Sequence, residues 1–141
     1  MDHLPPQLAG IVDDFAVLEG EEKLEYLLEM AGKLPALPER LQAQKDSMDV
    51  VHECNTPVFV HAEKSAGDRL EFYLDVSPEA PTVRGFAAIL QTGLKDVTLD
   101  QLMAVPTEFY LQMGLQSVLS GQRLNGIAAI LAHMKKVAQQ V

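Results

Sequence analysis

The chain has 141 residues, 48% of them hydrophobic, which is the length of one domain with enough apolar content to bury a core; a single domain over 1–141 is expected. A formal net charge of −9 argues against a nucleic-acid binder, whose footprint is a basic patch. No apolar run nears the roughly 18 residues of a membrane span, the N-terminus lacks a basic start leading into an apolar core, and one cysteine cannot form an internal disulfide, so the expected setting is cytoplasmic and reducing.

In chain order, Leu8, Ile11, Val12 and Phe15 follow the spacing of a short amphipathic helix entered through Pro5-Pro6. A second helix begins at Glu21-Glu22, where a helix N-terminus favours anions, and carries Leu24, Leu27, Leu28, Ala31 and Leu34 as one stripe until Pro35. Glu39 to Asp49 has no assignable period and reads as loop or irregular helix. From Val50 the period changes. Val58-Phe59-Val60 is β-branched and aromatic, Ala66-Gly67-Asp68 suits a turn, and Leu70, Phe72, Leu74 and Val76 alternate with Arg69, Glu71, Tyr73 and Asp75. The residues before Cys54 are expected to add a third strand to this hairpin.

The helical period returns with Val83, Phe86, Ala87, Ile89, Leu90 and Leu94 behind Pro81. Thr98-Leu99-Asp100-Gln101 has capping-box spacing, and Pro106-Thr107-Glu108 should start a short helix through Met113. A last helix after Ser120-Gly121 places Leu124, Ile127, Leu131, Met134 and Ala138 on one stripe, with Lys135-Lys136 near its negative end. Helices flanking a small antiparallel sheet, without β-α-β alternation, predict an α+β fold. The two long C-terminal helices should cover the apolar face of the hairpin, leaving Cys54 at one end of the sheet.

Charge is uneven along the chain: residues 1–40 hold nine Asp/Glu against three Lys/Arg, while residues 111–141 hold no acid and three Lys/Arg. Either the two ends pair within the fold, or one of them is a polar surface facing a partner.

The chemistry centres on Cys54, the only cysteine, set in the polar break from His52 to Thr56 between two apolar pairs. A thiol reacts as the thiolate, and a free cysteine needs a nearby positive charge, a helix N-terminus or a base to be reactive at neutral pH. His52, two positions away, would share a side with Cys54 on an extended backbone. Arg123, beside Gly121 and Asn125-Gly126, is either a ligand for a thiolate or carboxylate or a salt-bridge partner of an acidic residue. Glu53 opposes activation, because a neighbouring carboxylate disfavours the thiolate. The bland alternative is that Cys54 is a small buried hydrophobe. A Cys-His hydrolase would use Asn55 to orient His52, but sequence neighbours rarely assemble into a triad. No metal site is expected from the scattered His3, His52, His61 and His133, of which His61 and His133 read as surface or satisfied core histidines. The glycines form no phosphate-binding fingerprint.

Four local patterns resemble the SufE/CsdE-like family of sulfur acceptor proteins. Val51-His52-Glu53-Cys54-Asn55-Thr56-Pro57-Val58-Phe59 is similar to Val-x-Gly-Cys-x-Ser-x-Val-Trp, with Glu53, Thr56 and Phe59 as departures. Ala80-Pro81-Thr82-Val83-Arg84-Gly85 resembles Ala-Pro-Ile-Val-Arg/Lys-Gly, although Ser77-Pro78-Glu79 stands where the family has Asp-Ser-Asp. Gly114-Leu115 followed by Leu119-Ser120-Gly121-Gln122-Arg123-Leu124-Asn125-Gly126 resembles Gly-Leu…Leu-Ser-x-x-Arg-x-Asn-Gly, and Leu27 to Pro35 resembles the family's early Leu-x-x-Leu-Gly-x-x-Leu-Pro.

The resemblance implies a three-stranded antiparallel sheet flanked by helices, a fold shared with the NifU/IscU cluster scaffolds. A scaffold needs several thiolates, so that activity is set aside. It also implies that Cys54 accepts persulfide sulfur from a SufS/CsdA-like cysteine desulfurase and passes it to an iron–sulfur assembly scaffold, with Arg123 positioning the loop or stabilising its anion. His52 is added as a nearby hydrogen-bonding group. No bound cofactor is expected here, the partner enzyme using pyridoxal phosphate, and a homodimer is compatible with the reading. The alternative is a binding module that regulates a desulfurase without accepting sulfur. In either case Cys54 is expected to rest partly sheltered.

Overall fold

The computed structural model describes residues 4–141. Its helices are α1 (Pro6–Ala16), α2 (Glu21–Ala31), α3 (Glu39–Gln42), α4 (Pro81–Gly93), α5 (Leu99–Met103), α6 (Tyr110–Met113) and α7 (Gly121–Ala138), with single 3-10 turns at Lys45–Ser47 and Leu115–Ser117. Its strands are β1 (Asp49–Val51), β2 (Val58–Lys64) and β3 (Leu70–Val76), paired antiparallel in the order β1-β2-β3. The α+β fold read from the sequence is the fold observed. Among the described residues no helix is long and apolar enough to cross a membrane.

The register opposes Val51 to Val58, Val58 to Val76, Val60 to Leu74 and Ala62 to Phe72, so one face is continuously apolar. It is covered by α4 against β3 and by α7 against β1 and β2, as the hairpin pattern required. The opposite face is covered by the stretch that had no period. Leu37, Leu41 and Met48 pack on Phe59 and Tyr73, while Arg40 donates two hydrogen bonds to the Glu63 carboxylate and Lys45 pairs with Asp75. This strap has three anchoring apolar residues and short helical turns, which is why no periodicity announced it.

α4 is the helix around which the others are arranged. At Gly85 a Cβ would collide with the Leu27 carbonyl oxygen, and at Gly93 one would stand 2.6 Å from Leu8 Cδ1, so α2 and α1 both approach its backbone closely. Arg84 then joins three elements by donating to the carbonyls of Ala31, Leu34 and Val76. Thr98 and Gln101 form the expected capping box on α5.

Several boundaries differ from expectation. α2 ends at Ala31, and its buried face is Lys23, Leu27, Met30 and Ala31. Leu28, expected in that stripe, is 42% exposed because it lies one residue, about 100° of helical rotation, from Leu27. Lys23 takes the stripe position instead. Its stem crosses apolar surface to place Nζ 2.5 Å from the Phe15 carbonyl oxygen and 2.9 Å from that of Met113, at the ends of α1 and α6. The segment from Pro106 is helical only from Tyr110. The acidic N-terminal and basic C-terminal stretches do not pair: no ion pair among the described residues joins residues 4–40 to residues 111–141.

Replacing Lys23 with Met keeps the packing and removes the donor from two carbonyls at helix ends. Urea unfolding should show Lys23→Met destabilised by about 2 kcal/mol, the size expected for buried acceptors left without partners. A loss within error would show that these carbonyls are satisfied in another way.

Candidate functional site

Between Val51 and Val58 the chain makes a six-residue connection, 52–57, joining two antiparallel strands. Its tip meets the N-terminal ends of α4 and α7. These three segments enclose a cavity of about 250 Å³ lined by Cys54, Glu79, Pro81, Thr82, Arg123 and Gly126 among others. α4 has no side-chain cap at its N-terminus, and α7 is capped by Ser120, whose hydroxyl accepts from the Arg123 backbone N–H. The partial positive charge of both helix ends is thus directed to the rim of the space in front of the sulfur.

Cys54 is 9% exposed. Its thiol donates to the Gly126 carbonyl oxygen over 3.4 Å. A Cβ at Gly126 would lie 3.1 Å from Sγ and 3.7 Å from the Cys54 Cα, so a side chain here would push the sulfur a few tenths of an ångström away from α7, and glycine permits the close approach. Burial pushes the thiol pKa from 9.0 up to about 11, and the Glu53 carboxylate adds to the rise. At pH 7 only about one molecule in ten thousand carries the thiolate. The resting site is a protected thiol.

Arg123 shares the cavity with Cys54. Its Nη1 donates to Thr82 Oγ1 over 3.0 Å and so ties α7 to α4 across the mouth. Of the two roles open at the sequence level, the salt bridge is not formed: no ion pair to Arg123 exists among the described residues. His52 is placed differently from the expectation. The chain turns from 52 to 56 instead of running extended, and His52 is exposed and outside the cavity lining. Asn55 Oδ1 accepts from Gln122 Nε2 over 3.0 Å, which commits it to α7 and leaves the Cys-His-Asn constellation unassembled. No group of three or more His, Cys, Asp or Glu among the described residues could hold a metal ion; His3 lies outside the described residues.

Two contributors escaped the sequence reading. Gly126 had a visible signal, a glycine inside a strong helical stripe, which often marks a close approach. His133 had none. It lies with Nδ1 2.5 Å from Asp49 Oδ2 and Nε2 3.2 Å from Glu53 Oε1, contacts that span 84 and 80 positions of sequence and that only the tertiary fold creates.

Fold and site together define a small α+β protein organised around one sheltered thiol. A family model described as "SufE: Fe-S metabolism associated domain" matches residues 9–138, and the chain belongs to the SufE family. An uncharacterized SufE-like protein of Mycobacterium tuberculosis is 43% identical over 133 residues, covering 94% of this chain and 92% of that one. The sulfur acceptor protein CsdE of Escherichia coli is 29% identical over 122 residues, 86% of this chain and 80% of its own. A solution structure of a hypothetical protein from Thermus thermophilus matches with a TM-score of 0.83 at 34% identity, over 97% of this chain and 96% of that one.

The raised thiol pKa sets the reactivity of the folded protein toward alkylating agents. Because the thiolate is the nucleophile, the rate for Cys54 should climb about tenfold per pH unit through the alkaline range and level off only near pH 11. A plateau near pH 9, followed with a small iodoacetamide probe, would mean that the sulfur is not desolvated in solution.

Proposed function

We propose that this protein is a sulfur acceptor and carrier: Cys54 takes persulfide sulfur from a cysteine desulfurase, stimulates that enzyme, and passes the sulfur to iron–sulfur cluster assembly. Membership of the SufE family and similarity to a protein named as a sulfur acceptor support the class. The observation that carries the reading for this chain is the position of its only thiol, recessed in a cavity between two helix N-termini and beside Arg123.

The transfer needs one thiolate and no resolving cysteine. The Cys54 thiolate attacks the outer sulfur of the enzyme's persulfide, a new S–S bond forms, and the old one breaks to release the enzyme's cysteine as thiolate. Sulfur arrives as the terminal atom of a persulfide on Cys54. The enzyme recovers its thiolate, and no external oxidant or reductant is consumed. Pyridoxal phosphate belongs to the desulfurase, where it labilises the substrate cysteine's sulfur; this protein's part is to present the acceptor.

Magnitudes show why a partner is needed. Moving the thiol from about 11 back toward 9.0 would raise the thiolate fraction about a hundredfold at pH 7, and the lower intrinsic nucleophilicity of a more acidic thiol returns about tenfold of that. A net gain of about tenfold is therefore available from loop release alone. Arg123 supplies positive charge at the mouth for the developing persulfide anion, and His52, at the exposed start of the loop, is positioned for the partner surface more than for the sulfur.

A second reading has one observation in its favour. Glu53 stands beside the thiol and raises its pKa further, which suits a module that docks a desulfurase and regulates it without taking sulfur. Intact-protein mass spectrometry after incubation with a desulfurase and free cysteine separates the two. A carrier gains one sulfur atom, removable by reductant, and Cys54→Ser loses both the gain and the stimulation. A regulator gains nothing, and Cys54→Ser still stimulates. Arg123→Ala should bind the desulfurase but take up sulfur about tenfold more slowly. An undiminished rate would remove its assigned role.

A further inference from the structure

Residues 53, 54 and 55 are bonded one after another along a single helix: Glu53 to His133, Cys54 to Gly126 and Asn55 to Gln122. Gln122, Gly126 and His133 are spaced by four and seven positions and therefore share one face of α7. The cysteine loop lies along that face. Two of its three fastenings are indifferent to pH near neutrality, the thiol–carbonyl contact and the amide pair. The third is ionic.

His133 is 17% exposed and sits between two carboxylates, Asp49 from β1 and Glu53 from the loop. Ionised carboxylates only accept hydrogen bonds, so both ring nitrogens can serve these partners only when both carry protons. The other charged groups at the cluster are Lys136, 2.8 Å from the second Asp49 oxygen, and His52, whose charge acts on Glu53. Both carboxyls stay ionised in this setting. Burial would raise Asp49, but hydrogen bonds from Lys136 and His133 outweigh it and hold it below the usual range. Glu53 is lowered first by its own backbone N–H and then, against some desolvation, by His133 and His52.

We propose that His133 is a positioning residue for Cys54: as an imidazolium it latches Glu53, and with it the cysteine loop, against α7, and on losing its proton it releases the loop. The neutral ring keeps its single N–H on Asp49, the shorter and more sheltered contact, and turns the lone pair of Nε2 toward the Glu53 carboxylate. Attraction becomes repulsion at the position next to the sulfur. The glutamate at this position, where the family pattern has glycine, thereby acquires a use: it fastens the loop while the thiol is idle.

The inference rests on Cys54 being the functional group, and its test needs no desulfurase. Alkylation of folded protein by a maleimide is followed from about pH 5.5 to about pH 9, the range in which imidazoles change charge. Thiol ionisation alone makes the logarithm of the rate rise by one decade per unit. The wild type should rise more steeply through the neutral range, gaining an extra two- to fivefold, the size of about one half-exposed ion pair, before settling to one decade per unit. Glu53→Gln and His133→Gln should each rise by one decade per unit throughout; Glu53→Gln should also be faster at every pH, because a charge beside the thiol is gone. A wild-type profile parallel to both variants would overturn the latch, as would an excess that survives in Glu53→Gln. Glu53 is 48% exposed, so that variant keeps the fold; if His133→Gln unfolds, His52→Gln at an exposed position decides the source, since the excess should survive in it and its loss there would overturn the assignment to His133. If the excess is seen but no sulfur is taken up from a desulfurase, the latch holds and the carrier reading fails.

Discussion

A side chain at position 126 would meet the Cys54 sulfur at 3.1 Å, and its absence lets the cysteine loop lie closely on the backbone of α7 without displacing the sulfur. The other properties of the site follow from that approach. With the loop down, the thiol is desolvated and hydrogen-bonded to a helix carbonyl, Asn55 reaches Gln122, and Glu53 reaches His133. Lifting the loop would open each of those contacts and expose the sulfur. The reactive group is governed by a close fit between a six-residue connection and one helix face.

The rest of the fold serves to hold that helix face still. α7 and α4 cover the sheet from one side and bring their N-termini together at the end where β1 gives way to the loop. α4 is fixed in turn by backbone approaches at Gly85 and Gly93 and by the three carbonyls gathered by Arg84. Arg123 to Thr82 closes the remaining gap between the two helices. In the family pattern, Arg84 and Arg123 look alike as single cations at helix starts; the structure separates them into a clamp on the scaffold and a group at the cavity mouth.

Sheltering and reactivity pull in opposite directions here. Burial protects a sulfur from stray thiols and at the same time suppresses the thiolate, the nucleophilic form, by pushing the pKa up to about 11. On the carrier reading proposed above, both properties require two states, and the loop is the element whose contacts could differ between them. Its contacts to α7 are few, polar and partly exposed, whereas the strands on either side are locked into a full antiparallel register. The strap over the outer sheet face, from Leu37 to Met48, shields the hairpin without touching this choice.

Much of the architecture was legible from local pattern. Alternation from Leu70 to Val76, the stripe of the last helix, the capping box at Thr98 and Gln101, and a lone thiol in a polar break each announce themselves within a dozen residues, because the physics behind them is local. Where the reading failed, the deciding partner was far along the chain. Lys23 joins the buried face of α2 because two carbonyls, of Phe15 and Met113, converge on it, and Leu28 is left on the outer side. His52 is near Cys54 in sequence, yet the turn at 52–56 sends it outward. His133, 79 residues beyond Cys54, is the histidine that touches the loop. The sequence by itself determined the three strands, the longer helices, the single thiol and the family. Only the tertiary structure decided which charges surround that atom and whether it is open to solvent, since both depend on which helix face the loop meets, and that contact exists only after the chain has folded back on itself.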